Sequence, residues 1–361
     1  MNALEQEIRA LIESEGPIPV SRYMALALGH PEHGYYMTRD PFGAGGDFLT
    51  APEVSQMFGE LIGIWCAEVW HAMGEPETIS LVELGPGRGT LMNDLLRAAK
   101  VVPAFRAAVE AHLVETSTAL AGRQHETLKE SGAPIRWHRG VDTLPDAPLI
   151  VVANEFIDAL PIDQLVKTET GWHERKVGIT GGKLAFALDP APLPRIEDLL
   201  PARLRGAAPG ALLESRDLTP FREIARRIAA HHGAALIIDY GHTQSGFGDT
   251  LQGVRAHKPV DPLQNPGEAD LTAHVDFEQL AVAAMQSGLH TLGPVTQGAF
   301  LRTLGIELRA QNLKRGQSAE TAADIDAALM RLAAPSPGMG ELFKALALVH
   351  PSLPAPPGFD T

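Results

Sequence analysis

Apolar positions recur at helical spacing in the first part of the chain and gather into short unbroken runs further on. Leu4, Ile8, Leu11 and Ile12 share one helical face that Gly16 and Pro17 close, and a second helix is predicted over 21–28. Val54, Met57, Phe58, Leu61, Ile62, Trp65, Val69 and Trp70 repeat at the same spacing further along. Thr50 and Glu53 precede them at the Ser/Thr-x-x-Glu spacing of a capping box, which accounts for Glu53 without a functional role. These patterns predict a helical N-terminal lobe over residues 1–74. Inside it, 40–47 is glycine-rich and aperiodic, and 43–48 reads as a lid hinged ahead of a rigid helix or as a plain connection.

From residue 75 the pattern becomes strand then helix, repeated. Apolar runs at 81–84, 112–115, 135–138 and 149–153 are separated by helix-length segments, the signature of βαβ units in a doubly wound, Rossmann-like parallel sheet. Between 163 and 188 the period shifts toward two, and the turn pairs Thr170-Gly171 and Gly181-Gly182 divide three strand-like runs. An antiparallel insertion over about 161–215 is therefore expected within a core spanning 75–300. A run over 234–241 restores the parallel pattern, helices are predicted near 219–231 and 276–287, and residues 301–361 read as helix to 334 with a tail that frays after 350.

Composition narrows the function. The chain has 361 residues, 45% of them apolar, and 44 acidic against 30 basic side chains leave a net charge of −14. No Lys/Arg run or basic aromatic strip is present, which disfavours a nucleic-acid partner, whereas an acidic surface suits a basic acceptor such as an arginine or lysine side chain. The one cysteine, Cys66, falls on an apolar helical stripe and cannot form an internal disulfide, so a reducing compartment is expected. The start is acidic and amphipathic and no apolar run approaches the ~20 residues that span a bilayer, so the reading is a soluble, cytoplasmic protein without membrane insertion.

The chemistry concentrates after the first parallel strand. Ile79 to Thr90 reads Ile-Ser-Leu-Val-Glu-Leu-Gly-Pro-Gly-Arg-Gly-Thr, an apolar run ending in a carboxylate and three glycines at alternate positions. A dinucleotide fingerprint places its last small residue three after Gly87, where Thr90 stands, and a P-loop needs a Gly-Lys-Ser/Thr ending. What remains is the Glu/Asp-x-Gly-x-Gly-x-Gly pattern of class I S-adenosylmethionine-dependent methyltransferases. Glu115 ends the second strand, where a carboxylate accepts both ribose hydroxyls of an adenosine; the spacing also fits the ribose acid of an NAD-type oxidoreductase, which stays open. Asn154, Glu155 and Asp158 follow the strand beside the cofactor strand, on the acceptor side. Two carboxylates, Glu155 and Asp158, are spaced to grip a guanidinium and leave one nitrogen able to attack; a helix start with Asn154 or Asp158 as cap is the plainer alternative. His30 and His33 lack the further ligands of a zinc site, and no metal is expected. Asp239-Tyr240-Gly241 reads as a site edge, and 270–276 as either a site loop or a helix start capped by Thr272 or Asp276.

Several motifs in order carry a resemblance across nearly the whole chain. His30-Pro31-Glu32-His33-Gly34-Tyr35-Tyr36, the stretch from Gly46-Asp47-Phe48 to Gln56, Glu83 to Leu91, Asn154-Glu155-Phe156 with Asp158 and Leu160-Pro161, and Asp239-Tyr240-Gly241 together resemble the MidA-like family of methyltransferase-fold proteins from bacteria and mitochondria. The likeness extends over 267–277 and 338–343. It implies a class I methyltransferase fold with a helical N-terminal addition and S-adenosylmethionine as donor. It places Glu83, Gly85, Pro86, Gly87, Gly89, Thr90 and Glu115, with Gly46 and Asp47, on the donor. By analogy with mitochondrial members it implies arginine methylation of a respiratory complex I subunit during assembly, although those members carry a targeting leader and this chain opens at its first helix. A small-molecule methyltransferase and a cofactor-binding assembly factor without turnover are the remaining alternatives.

Overall fold

The computed structural model describes residues 1–38 and 50–359, and the chain divides into two compact units. The larger holds the described part of 42–157, then 218–243 and 275 onward. Its strands are β1 (Ile79–Leu84), β2 (Val109–Val114), β3 (Ile135–His138), β4 (Leu149–Asn154), β5 (Gly233–His242), β6 (His290–Thr296) and β7 (Phe343–Val349). They form one sheet in the order β6-β7-β5-β4-β1-β2-β3, and the two-residue strand Val275–Asp276 adds parallel to the end of β5. β1 to β5 are mutually parallel, whereas β7 runs antiparallel to both β5 and β6. Every residue of β1 and β4 is buried, as expected for strands covered on both faces.

The order fixes where a ligand goes. From β1 the chain winds outward through β2 and β3, then returns to lay β4 on the other side of β1. The loops leaving β1 and β4 therefore diverge and open a crevice at their carboxyl ends. Helix Gln56–Ala72, which the sequence groups with an N-terminal lobe over 1–74, packs in the core of this unit. Phe58, Ile62, Trp65 and Cys66 are fully buried with Leu81, Met92 and Leu95. A Cβ on Gly59 or Gly63 would stand 2.5 Å from the Asp94 Cβ or 2.9 Å from the Ala98 Cβ, so two glycines let this helix lie close against Thr90–Ala99, the helix that follows β1.

Two readings of the C-terminal part require correction. Residues 301–361 are helical only through Ala333; β7 follows, a central strand flanked by β5 and β6. The tail does not fray after His350: Phe359 is 3% exposed, its ring centroid lies 5.3 Å from that of Phe300, and the Trp65 indole donates to the Pro357 carbonyl at 3.1 Å.

The smaller unit joins the described part of 1–41 to 158–217 and 244–274. Helices Ala3–Glu15 and Val20–Gly29 bury Leu4, Ile8, Tyr23 and Met24 with Ile162 and Val177. The latter two belong to an antiparallel sheet of Ile18–Pro19, Gly171–Thr180, Ile162–Thr168 and Leu212–Arg216, with Lys183–Leu188 paired to Gly171–Thr180. The expected insertion is thus present, and its hairpins turn at Glu169-Thr170 and Gly181-Gly182. Strands Gln252–Arg255, Lys258–Val260 and Asp270–Thr272 add a three-stranded sheet.

Candidate active site

The loop after β1 is built for close approach. Gly85 and Gly87 have φ of +63° and +53°, a conformation that costs an L-residue roughly 1–2 kcal/mol. A Cβ on Gly85 would also stand 2.8 Å from the Phe156 ring. Gly89 caps the helix Thr90–Ala99 in the left-handed region, and its N–H donates to the Pro86 carbonyl at 2.7 Å, which folds the loop back over the end of β1. The crevice beside it is lined by Glu83, Gly85, Pro86, Gly87, Arg88 and Thr90, by Thr50, Pro52 and Glu53, and by Asn154 and Glu155. The β1 loop and the first residues after β4 thus share one pocket, as the strand order requires.

Two acceptor atoms at this pocket have no hydrogen-bond partner among the described residues, Glu83 Oε2 and Asn154 Oδ1, although the residues are only 3% and 9% exposed. Orphaned buried acceptors are costly and call for a donor from outside the fold. Burial, with a smaller contribution from the charge of Glu115, pushes the Glu83 carboxyl up to about 8. A ligand bearing N–H donors and positive charge would satisfy Glu83 Oε2, and Asn154 Oδ1 is open to an N–H of either reactant. The residues present therefore fit the ammonium and sulfonium of S-adenosylmethionine.

Glu115, just past β2, does not line this pocket. Its Oε1 accepts the Ser117 N–H at 2.7 Å and its Oε2 accepts from the Gln124 amide at 3.2 Å, while burial raises its carboxyl above the ordinary range. The Gln124 amide also donates to the Gly87 carbonyl at 2.8 Å, so Glu115 and the glycine loop share a support that the sequence pattern does not reveal.

Glu53 departs from its expected role. No side-chain bond caps Ala51–Val54, and Ser55, not Thr50, starts the long helix by accepting the Met57 N–H. Glu53 instead accepts from the Thr90 hydroxyl at 2.5 Å and lies 3.8 Å from the Arg88 guanidinium, on the wall of the pocket. The capping box is a correct spacing in the wrong context, because the chain breaks at Ser55 before the helix begins.

Beyond β4 the chain turns sharply. Glu155 has a φ of +50°, a strained conformation worth roughly 1–3 kcal/mol that persists only where its surroundings impose it. They do so here: the Glu155 N–H donates to the Ile238 carbonyl at 2.9 Å, and Asp239 accepts the Ile157 N–H at 3.0 Å. Asp239, read as a site edge, is fully buried and pins this turn. The Glu155 side chain is held in turn, with Oε1 accepting from the Ala51 N–H and the Asn154 Nδ2, both at 3.2 Å.

Asp158 belongs to the smaller unit, three residues along the chain from Glu155. There it is 5% exposed, and Asp270, 6% exposed, accepts from the Tyr36 hydroxyl through its Oδ1 at 2.8 Å. Burial and then the charges of Asp270 and Asp158 push the Tyr36 phenol well up. Tyr36 and Asp270 lie in stretches that the sequence singles out without giving either residue a role. Gly46 and Asp47, assigned to the donor, and the lid expected over 43–48 lie outside the described residues. Asp276 caps Phe277–Gln286 by accepting the Gln279 N–H, which settles one alternative for 270–276 in favour of a helix start. His30 and His33 stack at 5.3 Å and both face the Glu7 carboxylate. No group of metal-holding type occurs among the described residues.

Comparison with known proteins agrees with this geometry. Residues 61–295 match a family described as S-adenosyl-L-methionine-dependent methyltransferase. A Drosophila melanogaster protein named protein arginine methyltransferase NDUFAF7 homolog, mitochondrial, is 38% identical over 96% of this chain and 84% of its own length. Its human counterpart is 39% identical over 84% of this chain and 73% of its own. A Burkholderia thailandensis crystal structure of a COG1565 superfamily protein bound to S-adenosyl-homocysteine superposes with a TM-score of 0.84 at 33% identity, covering 99% of this chain and 94% of that one. The glycine loop at the β1/β4 switch point, the buried acceptors beside it and these similarities lead to one conclusion: the chain belongs to the MidA-like family of class I methyltransferases that use S-adenosylmethionine as donor.

Proposed function

We propose that this protein methylates an arginine side chain of a protein substrate. The observation that carries the reading is the 38–39% identity, over most of the chain, to proteins named protein arginine methyltransferases. The net charge of −14 favours a basic acceptor, and the pocket supplies buried acceptor atoms for N–H donors. Bound S-adenosylmethionine supplies an electrophilic methyl on a sulfonium; its transfer to a guanidinium breaks the S–C bond, forms an N–C bond and releases one proton to water. Glu83, Gly85, Pro86, Gly87, Gly89, Thr90 and Glu115 would hold the donor, Glu115 through the ribose. Asn154 and Glu155 would serve the acceptor. An arginine of a respiratory complex I subunit is the finer form of this reading, and a cytoplasmic location is proposed with it.

Labelled-methyl transfer into lysate of a deletion strain, followed by peptide mapping, tests the reading. Label on an arginine is expected. A matched peptide with lysine should remain unlabelled, since an ammonium is a compact point charge that must shed a proton before it attacks. Equal labelling of the two peptides, or label confined to small molecules, would overturn the arginine assignment.

A further inference from the structure

The acceptor side of the pocket holds an amide whose orientation can be read without ambiguity. Glu155 Oε1 already accepts the Ala51 N–H, so the atom of Asn154 that lies 3.2 Å from it is the donating amide nitrogen. The amide oxygen therefore faces away from Glu155. That oxygen is buried and has no partner among the described residues, in a side chain that lines the pocket directly after β4. Glu155 is itself fixed from two sides, by its left-handed backbone and by the Ala51 N–H. Such a chain of constraints, running from Ala51 through Glu155 to Asn154, holds one acceptor oxygen at the pocket.

We infer that Asn154 Oδ1 receives an N–H of the substrate group that is methylated, and that Glu155 is a positioning residue which keeps the amide turned that way. The inference rests on the proposed function for the identity of the group and deepens it. A guanidinium carries only donors, and an amide oxygen that takes one N–H of the attacking nitrogen directs that nitrogen's face toward the methyl. A neutral acceptor suits this place better than a second carboxylate, because it orients the nitrogen without adding a charge that strengthens its hold on the proton. Glu155 then acts through Asn154 and Ala51, and not as one arm of a two-carboxylate grip.

Five variants decide it, each assayed for thermal unfolding, for S-adenosyl-homocysteine binding by calorimetry and for methyl transfer to a peptide carrying the mapped acceptor residue. Asn154→Ala is expected to keep donor affinity within about threefold while kcat falls about a hundredfold. Glu155→Gln keeps an oxygen for both Ala51 and Asn154 and should lose less than about tenfold, whereas Glu155→Ala should fall nearly as far as Asn154→Ala. The Asn154→Ala/Glu155→Ala double variant should be no worse than either single change, as expected for residues acting as one unit. Asn154→Asp guards against misfolding of the alanine variant. It keeps the shape, and by sharing a proton with Glu155 it presents the same acceptor oxygen, so it should turn over at least about tenfold faster than Asn154→Ala.

The inference is overturned by full turnover in Asn154→Ala, by a parallel fall in donor affinity that makes Asn154 a donor ligand, or by Glu155→Gln as inactive as Glu155→Ala, which would make the charge itself the requirement. Asn154→Asp no faster than Asn154→Ala would count equally against it. If mapping finds the label on a residue other than arginine, the arginine reading falls separately, and the same variants judge Asn154 on the residue found.

Discussion

Single residues at this site are chosen by backbone conformation and burial before chemistry. Gly87 sits at φ +53° on the loop that a ligand must approach, so Gly87→Val should abolish S-adenosylmethionine binding while the fold persists. Calorimetry returning wild-type affinity for that variant would remove the loop from the donor site. Glu83 allows a sharper test, since its folded value of about 8 lies above the ordinary 4.5. Ionising it in the fold is unfavourable, so its contribution to stability falls as pH rises from about 4.5 to 8 and then levels off. A cation beside it favours the ionised form. Donor affinity should accordingly rise with pH up to about 8, with proton release on binding, and Glu83→Gln should flatten both curves. Titration in buffers of different ionisation enthalpy measures this directly, and a pH dependence unchanged in Glu83→Gln would place the titrating group elsewhere. The glycines and Glu83 are visible in the sequence because the motif is contiguous. The altered role of Glu53 is not, because its partner Thr90 lies 37 residues away and only the packing of the two helices joins them.

Elements were legible where the hydrophobic period was long or the turn chemistry explicit. Gln56–Ala72 and Thr219–His231 follow their 3.6-residue stripes, and Gly181-Gly182 closes its hairpin with φ of +58° and +76°. β6 and β7 escaped. Phe-Lys-Ala-Leu-Ala-Leu-Val, the run that forms β7, has alanine and leucine in place of β-branched residues and follows a long helix, so local preference gives no strand signal. Burial between two partners overrides that preference. The tail escaped for the same reason, since its prolines and glycine look like a frayed end and the Phe300 and Trp65 contacts that tie it down come from distant segments. Phe359→Ala should therefore cost about 3 kcal/mol, by loss of a buried ring. Urea unfolding would show it as a lower midpoint at unchanged slope, and an unaltered midpoint would return the tail to a solvated role.

At the scale of the molecule, charge and topology matter more than any one contact. With a net charge of −14, capture of a basic acceptor should be steered by the protein's field. The kcat/KM for an arginine peptide should fall severalfold as ionic strength rises from about 0.05 to 0.3 M, mostly through capture and not through kcat. A salt-independent kcat/KM would argue against a cationic acceptor. The sequence by itself determined the class of fold, the cofactor loop and the order of the chemical residues, because each rests on local periodicity or a contiguous motif. Tertiary structure decided what those residues do together. It assembled one unit from segments around 1–38, 158–217 and 244–274, placed Asp158 in that unit and Glu155 in the other, and turned Glu155 toward Ala51 and Asn154. Hydrogen-bond partners and burial depend on which distant segments meet, and spacing along the chain carries no record of that.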